Sequence, residues 1–358
     1  MTRSKAAVFS GEAEKLAIQE FSRPCPAEGE ILVRVLGCTL CGSDLHTVSG
    51  RRQAPVPTVL GHEIVGEIVE FGNHEPPRDM SGHPLQLGDR VSWSIVANCG
   101  ECFFCQHNLP QKCLRSVKYG HEAFRPGREL LGGLAEHCLL VKGTYLVRLP
   151  SDLPLEVACP ANCATATAMA AIESAGDLRG TTVCVLGAGL LGLTACAIAR
   201  IHGARTVICV ELQVKRRERA LHFGATHAVE PSELAIAVEK IPDSQGVDVA
   251  FEMTGSPAAF TTVWPTLRIG GTLIVVGAVF PAPPVELKLE QLVRRHLVLR
   301  GIHNYAPRHL LQAIQFLDQH HRSFPFAELV AQWHSLSEID TAFHSAHDPD
   351  KIRVGVRP

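Results

Sequence analysis

The segment Cys38–Glu63 contains the residues with the clearest chemical potential. It includes the run C-T-L-C-G-S-D-L-H and, further on, G-H-E, so it offers a thiolate at Cys41, an imidazole at His62 and a carboxylate at Glu63. Zinc prefers sulfur and nitrogen ligands, and a catalytic zinc keeps one coordination position open for water or substrate. Cys41 and His62 therefore predict half of a zinc site that handles an alcohol or a carbonyl, with a further ligand supplied from elsewhere in the chain.

The candidate for that further ligand is Cys163, in the run A-N-C-A-T-A-T. Cys159 is the alternative, because it lies four residues earlier, one turn back along an expected helix. A single cysteine is more often a small buried apolar side chain than a ligand. The cysteines interpreted as packing residues on that ground are Cys25, Cys38, Cys138, Cys184, Cys196 and Cys209.

A second metal-binding pattern consists of four closely spaced cysteines: Cys99, Cys102, Cys105 and Cys113. Four thiolates at this spacing can close a tetrahedron around one zinc and leave no position for substrate, which is typical of a structural site. An iron–sulfur cluster or two disulfides would use the same residues. Because a ferredoxin-like run places its fourth cysteine closer, the spacing favours zinc.

The third pattern is a glycine-rich turn that follows an apolar strand and opens a helix. Its residues are Gly187, Ala188, Gly189, Leu190, Leu191 and Gly192. In that context G-x-G-x-x-G predicts a pyrophosphate site, because the glycines let backbone N–H groups approach the ligand at the helix N-terminus. The alternative is a turn that only tightens helix–sheet packing.

Glu211 closes the next expected strand, where an acid suits the ribose hydroxyls of NAD(H) and repels the additional phosphate of NADP(H). Arg216, one helical turn further on, is placed near the adenosine ribose. NADP(H) remains the alternative, because Lys215, Arg216 and Arg217 offset the charge of Glu211.

The elements around these patterns indicate two architectures in a chain of 358 residues, which is long enough for two cores. Residues 1–150 are strand-rich and carry both zinc patterns, residues 151–300 alternate strand and helix, and residues 301–358 return to the first domain. Alternation of this kind predicts a doubly wound parallel sheet. The strand Glu63–Glu70 is expected to have one solvent face, Glu156–Ala175 is expected to be one helix, and Gly271–Val279 is a candidate sheet edge at a subunit interface.

The composition of the chain limits the classes of partner that the protein is expected to bind. The net charge of −2 and the lack of interleaved basic and aromatic residues disfavour nucleic acid. No apolar run is long enough to span a bilayer, and the N-terminus lacks the apolar region of a signal peptide. We therefore expect a cytoplasmic protein whose partner is a small molecule and whose thirteen cysteines serve metal binding, catalysis or packing.

Together these residues resemble the zinc-dependent medium-chain alcohol dehydrogenases. The resemblance covers essentially the whole chain, and its motifs are C-G-S-D-L-H at Cys41–His46, G-H-E at Gly61–Glu63, G-D-R-V at Gly88–Val91, the four cysteines, and G-A-G-L-L-G at Gly187–Gly192. It implies a GroES-like catalytic domain with a zinc lobe, a Rossmann domain, two zinc ions per chain, and a homodimer or homotetramer. It also implies Cys41, His62 and Cys163 as ligands of the catalytic zinc, Glu63 as an outer-shell or transient ligand, and Asp44 as the group that orients His62.

The activity so implied is hydride transfer between an alcohol and NAD, or between NADH and an aldehyde or ketone. Zinc would acidify the substrate hydroxyl, and Ser43 would accept its proton and pass it through the cofactor ribose to His46. The alternatives are a zinc-free reductase of the same fold and a non-enzymatic protein that binds zinc and a dinucleotide. The cysteine patterns and His62 disfavour the first, and the charge balance disfavours the second as a nucleic-acid binder.

The segments around Trp93–Cys102 and Ala161–Thr167 further resemble a branch associated with phosphonate catabolism. An anionic substrate of that type would need basic residues in its pocket. The candidate pocket residues are Trp93, Ile95, Arg51, Arg52, Lys118, His121 and His303. The alternative is that Arg51 and Arg52 belong to a solvated loop.

Overall fold

The structure is a computed structural model that describes residues 3–13, 15–72 and 75–358. Its strands are β1 (Arg3–Phe9), β2 (Leu16–Ser22), β3 (Ile31–Thr39), β4 (Thr58–Val59), β5 (Glu63–Phe71), β6 (Arg90–Trp93), β7 (Val96–Ala97), β8 (Val117–Lys118), β9 (His137–Leu140), β10 (Leu146–Arg148), β11 (Thr182–Leu186), β12 (Thr206–Val210), β13 (His227–Val229), β14 (Val247–Glu252), β15 (Leu267–Val275), β16 (Val298–Gly301), β17 (Val330–Ser335) and β18 (Arg353–Arg357). Its α-helices are α1 (Gly42–Val48), α2 (Phe103–Gln106), α3 (Leu155–Ala158), α4 (Ala164–Ala175), α5 (Leu190–Ile201), α6 (Val214–His222), α7 (Leu234–Glu239), α8 (Pro257–Val263), α9 (Leu289–Arg294), α10 (Pro307–His320) and α11 (Ile339–Ala346).

The chain divides into two compact units. The first contains the residues up to Ala166 together with Ala306–Pro358, and the second contains Thr167–Tyr305. The sequence-based boundaries at residues 150 and 300 both lie earlier than these. The final segment of the chain packs with the first unit, so β17, α11 and β18 belong to the same body as the candidate metal ligands.

The main sheet of the first unit has the strand order β10-β6-β5-β3-β18-β17, with β9 also paired to β3. Strands β3 and β5 run antiparallel, and Thr39 at the end of β3 faces Glu63 at the start of β5. Strand β18 pairs antiparallel on the other side of β3, with Gly355 opposite Thr39. Continuing that register by two residues brings Arg353 opposite Cys41, so three strands deliver groups to one end of the sheet.

The second unit contains one six-stranded sheet in the order β13-β12-β11-β14-β15-β16, and all its strand pairs are parallel. This is the doubly wound arrangement, in which the order reverses beside the first strand and ligands bind at the carboxyl ends of the strands. The central strands β11 and β12 are buried along their whole length, as expected when helices cover both faces. The predicted fold class, a Rossmann sheet with a strand-rich GroES-like domain, is confirmed.

Three local predictions were wrong. The helix expected over Glu156–Ala175 is interrupted by a 3₁₀ turn at Cys159–Asn162, because Pro160 cannot donate a helical hydrogen bond. The first four residues of β5 are all buried, so its early half has no solvent face. Strand β15 lies between β14 and β16, so the edge strands of this sheet are β13 and β16, and Gly271–Val279 is not at an edge.

Among the described residues, no single helix has the length and apolar composition needed to cross a membrane. The consecutive helical segments Leu155–Asn162 and Ala164–Ala175, which are separated by a bend, meet the length and composition criteria only when they are counted together.

Candidate functional site

The candidate catalytic metal site is formed by Cys41, His62, Glu63 and Cys163. One potential ligand atom from each of these residues lies within 4.8 Å of those of the others. Cys41 precedes α1, His62 precedes β5, and Cys163 follows the 3₁₀ turn that interrupts the expected helix. Two sulfurs, one imidazole nitrogen and one carboxylate form a donor set that suits zinc, so the residues present fit that ion.

Asp44 connects two of these ligands. Its carboxylate accepts hydrogen bonds from the backbone N–H groups of Cys41 (2.9 Å) and Gly61 (3.2 Å). The same carboxylate lies 3.3 Å from Nδ1 of His62, and both side chains are buried. Asp44 therefore occupies the Nδ1 side of the His62 ring, which leaves Nε2 as the nitrogen available to a metal, and it fixes the two backbone segments that carry Cys41 and His62.

Sequence reasoning missed Arg353. Its guanidinium donates to both carboxylate oxygens of Glu63, from Nε at 3.0 Å and from Nη2 at 3.1 Å, and Nη2 lies 3.8 Å from Sγ of Cys41. Thr39 Oγ1 also donates to Glu63, at 2.6 Å. Both carboxylate oxygens of Glu63 therefore accept hydrogen bonds, while the carboxylate stays within 4.8 Å of the potential ligand atoms of Cys41, His62 and Cys163.

Sequence reasoning also missed Asn162, which fixes the position of Cys163. The Asn162 side chain is fully buried; its Oδ1 accepts from the Ile64 N–H at 3.2 Å and its Nδ2 donates to the Trp93 carbonyl at 3.1 Å. These bonds attach the 3₁₀ turn to β5 and β6. Cys159, the alternative ligand, is fully buried and packs beside Gly37, and it is not among the four residues whose potential ligand atoms meet within 4.8 Å.

The electrostatics of the cluster favour a bound cation. Burial alone would lower the pKa of His62, but the Asp44 carboxylate and the Cys41 thiolate raise it to about 10. A hydrogen bond with Cys163, together with the Arg353 guanidinium and His62, lowers the pKa of Cys41 well below its ordinary value despite burial. The site therefore favours the thiolate at Cys41 that a divalent metal binds, and a metal ion at His62 would replace the proton that Asp44 and Cys41 otherwise stabilise there.

Ser43 and His46 lie on α1, directly after the Cys41 ligand. Ser43 Oγ is 3.3 Å from Nε2 of His62, the ring nitrogen that does not face Asp44. His46 is partly exposed one turn further along the helix. Burial, followed by the charge of Arg51, lowers the pKa of His46, so its ring is neutral near pH 7 and can accept a proton.

The four-cysteine lobe forms a compact thiol cluster. Neighbouring Sγ atoms lie 3.4 Å apart for Cys99 and Cys113, 3.5 Å for Cys102 and Cys105, 3.9 Å for Cys102 and Cys113, and 4.0 Å for Cys99 and Cys105. Four sulfurs at about 2.3 Å from one zinc are about 3.8 Å from each other, so these spacings suit a single tetrahedral ion. No vacancy would remain at such an ion.

All thirteen cysteines are free thiols, which argues against the two-disulfide interpretation of the lobe. The side chains of Cys38, Cys138, Cys184, Cys196 and Cys209 are fully buried, in agreement with a packing role. Cys25 is exposed, so its interpretation as a packing residue was wrong.

In the second unit, the glycine-rich turn has the backbone that its sequence requires. Gly187 follows β11 with φ +96°, a region that favours glycine, and Gly189 is the N-cap of α5. A Cβ atom at Gly192 would lie 1.8 Å from the Gly187 carbonyl oxygen, so only glycine lets the helix approach the turn this closely. Leu190 is buried in the first helical turn and Leu191 beside it is partly exposed.

Glu211 directly follows β12 and contacts this turn. Its carboxylate accepts from the Ala188 N–H at 2.8 Å and from the Gln213 N–H at 3.0 Å. Arg216 lies partly exposed on α6, and Arg217 donates to the Glu211 carbonyl oxygen at 2.9 Å. A negative group thus lies beside the turn, at the carboxyl edge of the parallel sheet.

The candidate pocket residues separate into three groups. Trp93 and Ile95 are buried, and Trp93 packs in the hydrophobic core of the first unit. Arg51 is exposed and His303 belongs to the second unit. Arg52, Lys118 and His121 lie in the first unit, where the His121 ring is 5.0 Å from the His62 ring between centroids.

Comparison with known proteins identifies the class to which this fold and these sites belong. Residues 27–151 match the alcohol dehydrogenase GroES-like domain, and residues 191–319 match the zinc-binding dehydrogenase domain. The L-threonine 3-dehydrogenase of Vibrio parahaemolyticus is 30% identical over 300 residues, which are 79% of each chain. An alcohol dehydrogenase of Thermotoga maritima has a TM-score of 0.93 at 29% identity, with complete coverage of both chains. A zinc-binding dehydrogenase of Sinorhizobium meliloti 1021, solved with NADP bound, has a TM-score of 0.86 at 26% identity, also with complete coverage of both chains.

The chain belongs to the zinc-dependent medium-chain alcohol dehydrogenase family. Within it the protein is a zinc-dependent oxidoreductase of the dehydrogenase type, with a small molecule as substrate. This assignment favours the dehydrogenase over the zinc-free reductase and over the non-enzymatic binding protein.

Proposed function

We propose that the protein transfers a hydride between an alcohol and NAD, or between NADH and the corresponding aldehyde or ketone, with one catalytic and one structural zinc per chain. The observation that carries this proposal is the meeting of Cys41, His62 and Cys163 beside a Glu63 carboxylate, whose Oε2 accepts from Thr39 and Arg353 and whose Oε1 accepts from Arg353. Three protein ligands leave a tetrahedral zinc one position for substrate. The basic test is NAD(H)-linked activity on a panel of alcohols and aldehydes, before and after treatment with a chelator.

The residues have distinct roles in this proposal. Zinc, when bound by Cys41, His62 and Cys163, would polarise the substrate oxygen and make the hydroxyl more acidic. Ser43, 3.3 Å from Nε2 of His62, would accept the hydroxyl proton and pass a proton through the cofactor ribose to neutral His46, which would release it to solvent. Cys99, Cys102, Cys105 and Cys113 would hold the structural ion and fix a lobe in which the large apolar side chains of Phe103, Leu109 and Leu114 are exposed.

Ser43→Ala is expected to lower kcat about 100-fold or more, because a positioned proton acceptor contributes roughly that much to such a step. Ser43→Thr keeps the hydroxyl and serves as the matched control. Steady-state kinetics with saturating NAD measures the effect, with kcat and KM determined separately. Unchanged turnover in Ser43→Ala would remove Ser43 from the proton path.

We propose NAD(H) rather than NADP(H), because the Glu211 carboxylate lies at the glycine-rich turn and would repel an additional ribose phosphate. Glu211→Ala is expected to lower the preference for NAD, measured as kcat/KM for NAD divided by kcat/KM for NADP, by about 10-fold or more. The reason is that the variant lacks the carboxylate charge that would repel the ribose phosphate of NADP. Glu218→Ala, which removes an exposed acid from α6, is the matched control. A ratio that favours NADP in the unchanged protein would contradict the proposal.

The proposed substrate is an anionic alcohol or aldehyde of the phosphonate type, and the assembly is a homodimer or homotetramer. The exposed sheet edge β16, with outward Val298 and Leu299, supports association through the second unit. Support for the anionic substrate comes from the basic residues beside the candidate metal site.

A further inference from the structure

Arg52 and His121 form a fixed pair in the first unit. Arg52 Nη1 donates to Nε2 of His121 at 2.6 Å, and Nδ1 of His121 is 2.8 Å from the Tyr119 carbonyl oxygen. Because a carbonyl oxygen can only accept, Nδ1 carries the ring proton and Nε2 is the acceptor. His121 is therefore neutral, and it orients the guanidinium without competing for an anion.

The remaining donors of Arg52 are available. In the part of the chain that the structure describes, its Nε and Nη2 groups have no hydrogen-bond partner and no carboxylate lies within ion-pair distance. Burial lowers the pKa of this guanidinium, and the opposing charges are those of Asp44 and Cys41. An arginine keeps its charge in proteins. Arg52 is therefore a partly buried cation, and no carboxylate among the described residues pairs with it.

Lys118 is a second such cation. Its ammonium has no hydrogen bond or ion pair with any described residue, and the nearby Glu122 carboxylate accepts instead from the Lys118 backbone N–H at 2.8 Å. Burial, followed by the charge of Arg52, lowers the pKa of Lys118 to about 8, and Lys112 acts in the same direction. The ammonium is still mostly protonated at neutral pH.

His121 places both cations near the candidate metal ligands. Its ring is 5.0 Å from the His62 ring between centroids, its Nε2 accepts from Arg52, and its backbone N–H donates to the Lys118 carbonyl oxygen at 3.1 Å. The negative charges of Cys163 and Cys41 oppose the lowering of the Lys118 pKa, and the charge of Cys41 also opposes the lowering of the Arg52 pKa. A zinc ion would take up the charge of those two thiolates. Arg52 and Lys118 would then be partly buried without compensation, which is costly unless an anion binds between them.

We propose that Arg52 and Lys118, with Arg52 oriented by His121, form an anion subsite beside the catalytic metal site, and that the substrate is an alcohol or aldehyde bearing a carboxylate, phosphate or phosphonate. This inference rests on the proposed function for the position of the reacting oxygen. A guanidinium binds planar or tetrahedral oxyanions through paired N–H donors, and an ammonium adds a point charge. Carboxylate, phosphate and phosphonate are all oxyanions, and each would lie at the end of the substrate remote from the hydroxyl.

The kinetic test uses three alcohols of equal chain length that end in a phosphonate, a carboxylate or a neutral methoxy group. The unchanged protein should prefer at least one anionic alcohol over the neutral one in kcat/KM. Lys118→Met and Arg52→Met should each lower that preference by about 10- to 100-fold, which is the range for a lost charge-assisted hydrogen bond. The relative loss for phosphonate and carboxylate identifies the anion.

Arg51→Gln is the matched control, because Arg51 is the exposed neighbour of Arg52 and its removal should leave the preference unchanged. Lys118→Arg retains the charge and should restore most of the preference. Equal kcat/KM for anionic and neutral alcohols in the unchanged protein would overturn the subsite and leave the dehydrogenase function standing.

A binding experiment separates the two proposals further. Titration calorimetry with methylphosphonate and with acetate measures the subsite without turnover, on both the zinc-bound and the chelated protein. The expected result is saturable binding that weakens about 10-fold or more in Lys118→Met and is retained in Arg51→Gln. Binding without alcohol oxidation would count against the proposed activity alone, and no binding of either anion would overturn the subsite.

Discussion

Cys163→Ala is expected to reduce the zinc content from about two ions per chain to about one and to lower turnover by more than about 100-fold. The physical reason is that His62 and Cys41 alone cannot close a tetrahedral site, whereas the four-cysteine lobe keeps all its thiolates. Elemental analysis of the dialysed protein, together with steady-state kinetics, measures both effects on one sample.

Cys159→Ala is the matched control, four residues earlier. Cys159 is fully buried and packs beside Gly37, so its truncation should cost about 1 kcal/mol of stability at most while both zinc ions and most of the activity remain. Loss of one zinc ion in Cys159→Ala, with both retained in Cys163→Ala, would show that the third ligand was assigned to the wrong cysteine.

The choice between these two cysteines shows what sequence could and could not predict. On one regular helix, Cys159 and Cys163 would lie on the same face, so spacing alone left both as candidates. The 3₁₀ turn changes that direction: Cys159 points into the core, and Cys163 has left helical geometry, with φ −129° and ψ −77°. The result depends on Asn162 bonding to two strands, which are contacts that local sequence does not encode.

The short-range motifs were predictable because their geometry does not depend on contacts between distant parts of the chain. In the glycine-rich turn and the four-cysteine lobe, the groups that meet are close in sequence, so spacing fixes most of their geometry. The apolar strand before the glycine-rich turn and the strand that Glu211 closes were also predicted and are observed as β11 and β12, because buried parallel strands are continuous apolar runs. Arg353 has no such signal, because it meets Glu63 only through the pairing of β18 with β3.

Arg353→Met is expected to destabilise the first unit by about 3–5 kcal/mol, because it leaves a buried carboxylate without its partner. Glu63 is fully buried, and burial raises its pKa to about 7 even with the Arg353 guanidinium opposing the shift. Without that guanidinium the carboxylate would be protonated near neutral pH or would turn toward the metal position. Chemical denaturation of the chelated protein measures the stability change separately from any loss of zinc.

The double variant Arg353→Met/Glu63→Gln tests whether the cost comes from the pair. Replacing both charges removes the unpaired carboxylate, so the double variant should be more stable than the sum of the single effects predicts, by more than about 1 kcal/mol. Arg357→Met on the same strand is the control; Arg357 is half-exposed, 3.4 Å from Glu156, and its loss should cost about 1 kcal/mol or less. Strictly additive effects of Arg353→Met and Glu63→Gln would mean that the guanidinium acts on Cys41 or on the strand β18 rather than on Glu63.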